Sequence, residues 1–440
     1  MGEIPVVSKD CVAGKVVLIR VDHNVVKKGR IDDNYRIERS KKTIQFVIEN
    51  GGYPVLMTHI GRPRDKKTGD ISVSDEESVS PVVEYIKEKW GYPTKVIDVD
   101  MSKATEKGLP GLGDITADIE ALKTGKVRIL YMPNTRWFSG EEEKEGEAKD
   151  KFTDQLASIA DIFVNDAFGS HQAHVSTYWI TKKLPSFAGF LIEEEIKGLK
   201  RLLELPEGKR PFLTIVAGAK IDTKIGALES RRELSDKLLV GGLPAIALIC
   251  SKYGVKVRGI EQSEIETARN LLEKDNEENK LLIPDLVVVS DAECSKENPR
   301  QEGSYREVDL SKVNAGDDLG YIYDISPRYF EKEEVADAVK ASKTVFTNAV
   351  VGFDKAGFKE GTVALYTKLS EIEADLSFGG GDTLKALKKY TPEFYRSLKS
   401  DGKSTLFTGG GTILTGFESR GVKEMKVIKA LIDNGGKQPA

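Results

Sequence analysis

The sequence predicts an α/β protein of two doubly wound, Rossmann-like lobes with parallel sheets, joined by an inter-lobe helix. Three observations carry that expectation. The chain has 440 residues, more than one hydrophobic core of ordinary size organises, so two lobes are expected. Short runs rich in Val, Ile, Leu and Phe recur along it, with amphipathic stretches between them. Near-continuous apolar runs of this kind suit strands buried on both faces, as in parallel sheets covered by helices.

In the first half these runs are 16–22, 54–59, 128–133 and 162–166; in the second they are 211–218, 237–242, 282–291, 344–348 and 405–408. The clearest intervening helix is 41–50, stopped by Gly51 and Gly52. After Pro185 a helical pattern places Ile192, Ile196, Leu199 and Leu203 on one face and Glu193, Glu194, Lys197 and Lys200 on the other, until Pro206 ends it. On periodicity alone this is equally an inter-lobe connector or a surface helix of one lobe. The expected divisions are a first lobe over 1–185, a connecting helix over 186–205 and a second lobe over 206–416. A C-terminal segment, 417–440, follows. The charged stretch 141–151 reads as a solvated helix face, and 102–114 as an inserted surface loop.

Composition narrows the function classes. Formal net charge is −4, from 66 basic and 70 acidic residues, which gives no reason to expect nucleic acid or an anionic membrane as partner. No apolar stretch approaches bilayer-spanning length. Cys11, Cys250 and Cys294 have no paired spacing, against a disulfide framework or a structural zinc site. Residues 1–10 lack a secretory pattern, so the cytoplasm is the expected compartment. A monomer binding only small molecules is the expected state.

Two kinds of anion site separate along the chain. All four histidines, His23, His59, His171 and His174, fall in the first half at or just after strand ends, the edge where open α/β sheets bind ligands. The same edge carries Asp22, Asn24, Arg62 and Arg136. A guanidinium grips carboxylate or phosphate with two parallel donors. Any one of these arginines is more simply paired with a nearby acid, but the loading of four strand ends is not. The second half is glycine-rich instead: Gly218 with Lys220 and Lys224, Gly241-Gly242, Gly379-Gly380-Gly381-Asp382-Thr383 and Gly409-Gly410-Gly411. Glycine turns backbone N–H groups toward an anion, and a following helix adds its positive end. Asp382 suits Mg²⁺, which takes few protein carboxylates and several phosphate oxygens. Asp401-Gly-Lys-Ser-Thr405 imitates the tail of a phosphate loop, but a strand follows rather than precedes it, so it reads as a turn.

Taken together, these segments resemble the phosphoglycerate kinase family. Arg20-Val-Asp-His-Asn24 matches its Arg-Val-Asp-Phe-Asn signature except at His23. Asp33-Asn-Tyr-Arg-Ile37, Thr58-His-Ile-Gly-Arg-Pro63, Asn134-Thr-Arg136, Asn165-Asp-Ala-Phe-Gly169 and Ala188-Gly-Phe-Leu191 follow in family order. So do 218–225, 236–242, 379–383 and 408–411, nearly the whole chain. The resemblance implies that 1–185 is the acid-substrate lobe, that 206–416 is the nucleotide-binding lobe and that 417–440 returns to the first lobe. It implies that Asp22, Asn24, Arg36, His59, Arg62, Arg136 and the position of Gln172 bind the phosphoglycerate. It implies a catalytic set of Arg36, Lys220, Gly381 and Gly410. The nucleotide, ATP or ADP as co-substrate, would meet Gly218, Ala219, Lys220, Lys224, Gly242, Asn348, Asp354, Gly380, Gly381, Asp382 and Thr383, with Mg²⁺ on Asp382. The implied reaction is reversible phosphoryl transfer between 1,3-bisphosphoglycerate and ADP, with hinge closure excluding water.

The pattern departs from the family in places. Gln172 stands where the family has an Arg that helps bind the substrate phosphate, in a segment one residue shorter. Losing such a contact costs about 1.5–3 kcal/mol, roughly one to two decades in affinity. His23 replaces Phe and is expected to restore some positive charge or read a different acid. Around the adenosine pocket, Gly241-Gly-Leu-Pro replaces Gly-Gly-Gly-Met, Asn348-Ala-Val-Val replaces Asn-Gly-Pro-Met, and Ala217 replaces Gly. Three readings follow: phosphoglycerate kinase itself, a related kinase acting on another small carboxylic acid, or a non-catalytic nucleotide-binding descendant. Retention of Arg36, Lys220, Lys224 and Asp382 counts against the third.

Overall fold

Strand β1 (Val16–Val21) is buried at all six positions and lies inside a sheet of six parallel strands. The computed structural model describes residues 4–218, 225–422 and 425–436. Residues 1–197 with 422–440 form one unit and 198–421 a second. In the first unit β2 (Tyr53–Met57), β3 (Thr94–Val96), β4 (Ile129–Tyr131), β5 (Ile162–Asp166) and β6 (Ser186–Ala188) give the order β3-β4-β2-β1-β5-β6. Val17 is paired with Pro54 on one side and Ile162 on the other. Every pairing is parallel, so all six strands end on one edge.

The helix Tyr35–Glu49 covers this sheet with Ile37, Ser40, Thr43, Ile44, Val47 and Ile48 buried, a three-and-four spacing that packs one face. It begins six residues before the expected 41–50 helix, which brings Arg36 into its first turn. The helix Lys426–Asn434 belongs to the same unit. Its end is fixed by a bridge from Gly435 to Ser186 and by Asn434 Nδ2 donating to Thr181 Oγ1 at 3.3 Å.

The second unit repeats the plan. Strands β7 (Phe212–Val216), β8 (Lys237–Val240), β9 (Leu281–Leu282), β13 (Thr344–Asn348), β14 (Asp375–Gly379) and β15 (Thr405–Phe407) form a sheet ordered β9-β8-β7-β13-β14-β15. All its pairings are parallel. A separate antiparallel sheet of β10 (Leu286–Ser290), β11 (Tyr305–Asp309) and β12 (Tyr321–Ile325) has β10 in its centre. The fold is therefore the expected pair of parallel α/β sheets, with one addition the sequence reading lacked. Its single strand over 282–291 is two strands in two sheets. Pro284, with no N–H to give a ladder, stands at the break.

Two further expectations are corrected. The stretch 141–151 is not a solvated helix face throughout: the helix is Glu147–Ser158, and Glu141 is wholly buried. The 102–114 segment is anchored, with Leu109 and Leu112 buried and Leu109 bridged to Phe138. The division between units falls within the helix Phe190–Leu203, whose Ile192, Ile196 and Leu199 are buried. No described helix is long and apolar enough to cross a membrane.

Candidate active site

In the first unit the shared strand edge gathers the cationic residues. β1 delivers Asp22 and Asn24, β2 delivers His59 and Arg62, and β4 leads to Asn134 and Arg136. Arg20, the next-to-last residue of β1, is 1% exposed. Its guanidinium donates to Ser176 Oγ at 3.0 Å, to the Val21 carbonyl at 2.6 Å and to His59 Nδ1 at 2.8 Å. Ser176 Oγ–H in turn donates to Glu141 Oε1 at 2.5 Å, and Glu141 Oε2 accepts the Ser176 N–H at 3.0 Å. A buried positive charge and a buried carboxylate are thus joined through one hydroxyl. Burial pushes the Glu141 carboxyl above its ordinary range, and Arg20 opposes that.

This network fixes the chemistry of His59. Arg20 can only donate, so Nδ1 of His59 is the acceptor and the neutral ring carries its proton on Nε2. Burial first, and then Arg20, hold His59 well below the usual imidazole range. Its Nε2 faces Asn24 Nδ2 at 3.1 Å, while Asn24 Oδ1 accepts the Gly61 N–H at 2.9 Å. Turning the Asn24 amide over moves the conflict to Gly61. Either way one donor faces another, so this edge has a surplus of donors and suits an anion.

Arg36 Nη1 lies 3.2 Å from both carboxylate oxygens of Asp22, and it donates to Oδ1. Arg136 donates to the Gly61 carbonyl at 2.5 Å, and its Nε is 3.0 Å from Glu142 Oε1. Arg62 is exposed on the same turn, its backbone N–H given to Glu77 at 3.2 Å. The structure therefore brings Asp22, Asn24, Arg36, His59, Arg62 and Arg136 to one edge. Gln172 is exposed in the 170–177 loop, where its carbonyl accepts from Thr177 Oγ1 at 2.5 Å and from the His174 N–H at 2.9 Å. His174 Nε2 is 4.0 Å from Glu142, and its pKa is pushed down to about 4 by burial, then by Arg136 and Arg20. Burial also lowers His171.

His23 corrects the expectation placed on it. The side chain is fully buried. Ser40 Oγ gives its proton to the Ile37 carbonyl at 2.9 Å, so it accepts from His23 Nε2–H at 2.7 Å; His23 Nδ1 then accepts from Tyr131 O–H at 2.8 Å. Both ring nitrogens are satisfied in the neutral form, and burial followed by Arg20 pushes the pKa down to about 3. His23 supplies no charge to the site; it pins the Arg36 helix to the sheet. Sequence reasoning also missed Arg20, Ser176 and Glu141. Arg20 was visible inside the quoted signature, but nothing local tells that a strand arginine turns toward residues 156 positions away.

In the second unit the site is made of backbone. Gly242 begins the helix Gly242–Tyr253 with φ 61°. A Cβ there would lie 2.6 Å from the Gly218 carbonyl oxygen and 2.7 Å from its nitrogen, so no larger residue fits. Asn348, ending β13, donates from Nδ2 to the Gly379 carbonyl at 2.8 Å, and its own carbonyl accepts from Ala217 N–H at 3.0 Å. A Cβ on Gly410 would be 2.6 Å from both Asn348 Nδ2 and Gly380 Cα. Four loops are thereby drawn together around Asn348, and the helices Gly381–Tyr390 and Gly410–Glu418 start there. A helix N-terminus directs its first N–H groups and the positive end of its dipole outward, which suits an anion.

Asp382 is exposed and Thr383 buried in the first turn of Gly381–Tyr390. Asp354 is not brought beside them: it accepts from Lys389 Nζ at 3.3 Å and from Tyr390 O–H, at the other end of that helix. Ala219, Lys220 and Lys224 lie outside the described residues. Asp401 accepts the backbone N–H of Lys403 and of Ser404, each at 2.8 Å, before β15, so the imitation phosphate loop is a turn.

Comparison with known proteins shows the family and the fold. A phosphoglycerate kinase family model matches residues 7–420. The chain is 34% identical over 418 residues to phosphoglycerate kinase of Finegoldia magna, covering 93% of this chain and 95% of the other. It is 34% identical over 440 residues to that of Trichodesmium erythraeum, covering 97% and 98%. Among solved structures, phosphoglycerate kinase from Coxiella burnetii superposes with a TM-score of 0.71 at 28% identity, over 97% of this chain and 98% of that one. The enzyme from Pyrococcus horikoshii, at 24% identity and TM-score 0.69 over 96% of each chain, shares the fold. With a cationic strand edge in one unit, a glycine-built anion end in the other and a full-length match, the chain belongs to the phosphoglycerate kinase family, phosphotransferases that use a carboxyl group as acceptor.

Proposed function

We propose that the protein transfers a phosphoryl group reversibly between 1,3-bisphosphoglycerate and ADP, giving 3-phosphoglycerate and ATP. The acid is assigned to the first unit and the nucleotide to the second. The observation that carries this assignment is the surplus of donors at Arg20, His59, Asn24 and Gly61, a place built for an oxyanion. Asp22, Asn24, His59, Arg62 and Arg136 hold the acid, and Arg36 steadies the charge spread over the transferring group. Asp22 pairs with Arg36 at 3.2 Å and so helps to position it at this edge. No side chain is needed as general base, because the attacking carboxylate is already ionised.

In the second unit Gly218, Gly242, Gly380, Gly381 and Gly410 present backbone donors, and Asn348 holds their loops together. Lys220 and Lys224 are assigned to the phosphates on sequence grounds. Asp382 fits Mg²⁺: one exposed carboxylate at a phosphate-binding helix end leaves the other positions to phosphate oxygens and water. Among the described residues no group of three or more acids, histidines or cysteines competes as a metal site. Bound there, Mg²⁺ would neutralise phosphate charge. Asp354 is assigned to the ribose end. ATP is the expected nucleotide, a monomer the expected state and the cytoplasm the expected compartment.

The test is an acyl-phosphate assay with Mg-ATP, 3-phosphoglycerate and hydroxylamine, with Asp382→Ala beside the native protein. Hydroxamate formation that disappears in the variant supports the reading. Absent turnover on 3-phosphoglycerate, with turnover on another small acid, replaces it by the related-kinase reading that Gln172 raises.

A further inference from the structure

A second cationic group lies just beyond the residues already assigned. Glu142 is approached by three side chains at once: Arg136 Nε at 3.0 Å and His174 Nε2 at 4.0 Å from Oε1, and Arg64 Nε at 3.7 Å from Oε2. Yet neither Arg136 Nε nor Arg64 Nε, both buried atoms, makes a hydrogen bond among the described residues. The carboxylate is in ionic contact with two guanidinium groups, but it lies off the axis of one N–H and out of reach of the other. Arg64 is otherwise held firmly. Its Nη1 donates to Glu143 at 2.8 Å and its Nη2 to the Ser139 carbonyl at 3.2 Å, and its backbone is bridged to Ile71. Of its nitrogens, Nε is the buried one whose N–H meets no acceptor among the described residues.

Two buried guanidinium donors beside a carboxylate that satisfies neither describe a place for a better anion. Phosphate offers three oxygens in a tetrahedral spread, and it meets divergent N–H groups that a planar carboxylate cannot satisfy together. The loop that carries Gln172 is the one that carries His174, so this basin adjoins the position where the family's Arg is missing. Resting on the acid-site assignment above, we propose that Arg64 is a substrate-binding residue. It receives the phosphate end of 3-phosphoglycerate together with Arg136, in place of the guanidinium absent at Gln172. Glu142 is the internal placeholder that the phosphate displaces. His174, held neutral among these arginines, adds no charge of its own, so the basin depends on its guanidinium groups.

The experiment measures steady-state constants for 3-phosphoglycerate and MgATP, with inorganic phosphate as a competitive inhibitor against the acid. Native enzyme must turn over 3-phosphoglycerate; if it does not, the acid-site reading itself fails, separately from this inference. In Arg64→Gln, KM for the acid and the inhibition constant of phosphate are expected to rise together by roughly tenfold or more, with kcat and the MgATP constant changed by less than about threefold. Adding Gln172→Arg to Arg64→Gln is expected to recover most of the loss, which repair of a merely structural contact would not do. Glu142→Gln, leaving Arg64 in place, is expected to lower both constants. An Arg64→Gln enzyme with native constants, or a double variant no better than the single, overturns the proposal. Should Arg64→Gln fail to fold, Glu142→Gln decides: unchanged or higher constants overturn it.

Discussion

The two units face anions with opposite materials. In the first, Arg36, Arg136, His59 and Asn24 reach the strand edge as side chains, each held by partners far along the sequence. In the second, the described site is mostly peptide backbone drawn together by glycine contacts around Asn348. A site made of side chains can be retuned one residue at a time. A site made of backbone tolerates changed neighbours, such as Ala217 and Leu243, while its glycines remain. Substitutions that alter the acid belong in the first unit, and those that alter geometry belong in the second.

Two buried arginines sharpen that contrast most. Arg20 in the first unit is satisfied by Ser176, Val21 and His59. Arg231 in the second is fully buried, yet none of its three nitrogens meets an acceptor among the described residues. Burial pushes its pKa down to about 10, with Glu418 opposing. Arg20→Met strands the buried Glu141 and is expected to destabilise its unit by about 3–5 kcal/mol. Arg231→Met is expected to be neutral or stabilising by about 1–4 kcal/mol. Urea unfolding of both variants checks this, and equal losses would erase the distinction.

Next in size is Gly410→Ala. The added carbon pushes against Asn348 and Gly380 Cα and displaces the loops by a fraction of an ångström. A loss of roughly 10²-fold in kcat/KM for MgATP is expected, with calorimetric affinity for 3-phosphoglycerate unchanged. A parallel loss of acid binding would mean that the two sites are not built independently.

Smallest is the response to acid. His23, pushed down to about 3, and His174, pushed down to about 4, belong to the first unit, while residues 198–421 contain no histidine. Below pH 6.5 the unfolded chain takes up protons that the folded unit refuses. Stability present above 6.5 is therefore lost as pH falls, by up to about 1.4 kcal/mol per pH unit for each histidine. Asp166, pushed up to about 7 by burial, has the opposite sign and offsets part of this. In the second unit Asp324, also pushed up to about 7, acts only in that opposite sense. Amide hydrogen exchange between pH 6.5 and 5 should show the first unit losing protection relative to the second.

Much of this is legible in the sequence alone. Apolar runs separated by amphipathic stretches announced two parallel sheets, because strands buried on both faces leave little choice of residue. The site's arginines and glycines were legible for a similar reason, since few residues do those tasks. What stayed hidden depends on partners distant in sequence. Glu141 looked solvated because it begins a run of charges, and only Ser176, 35 positions on, shows that it is buried and bonded. His23 looked like a charge because its partners, Ser40 and Tyr131, are 17 and 108 residues away. Arg64 carried no signal beyond one more cation beside a proline.

The burial of His23 also equips the protein with a built-in reporter. A ring N–H shut inside the sheet and given to Ser40 meets water only when the Tyr35–Glu49 helix lifts away. Its proton resonance should persist in water at neutral pH, apart from the amide signals. The rate at which that single line exchanges with solvent would clock how often the helix carrying Arg36 comes loose, with and without the acid bound.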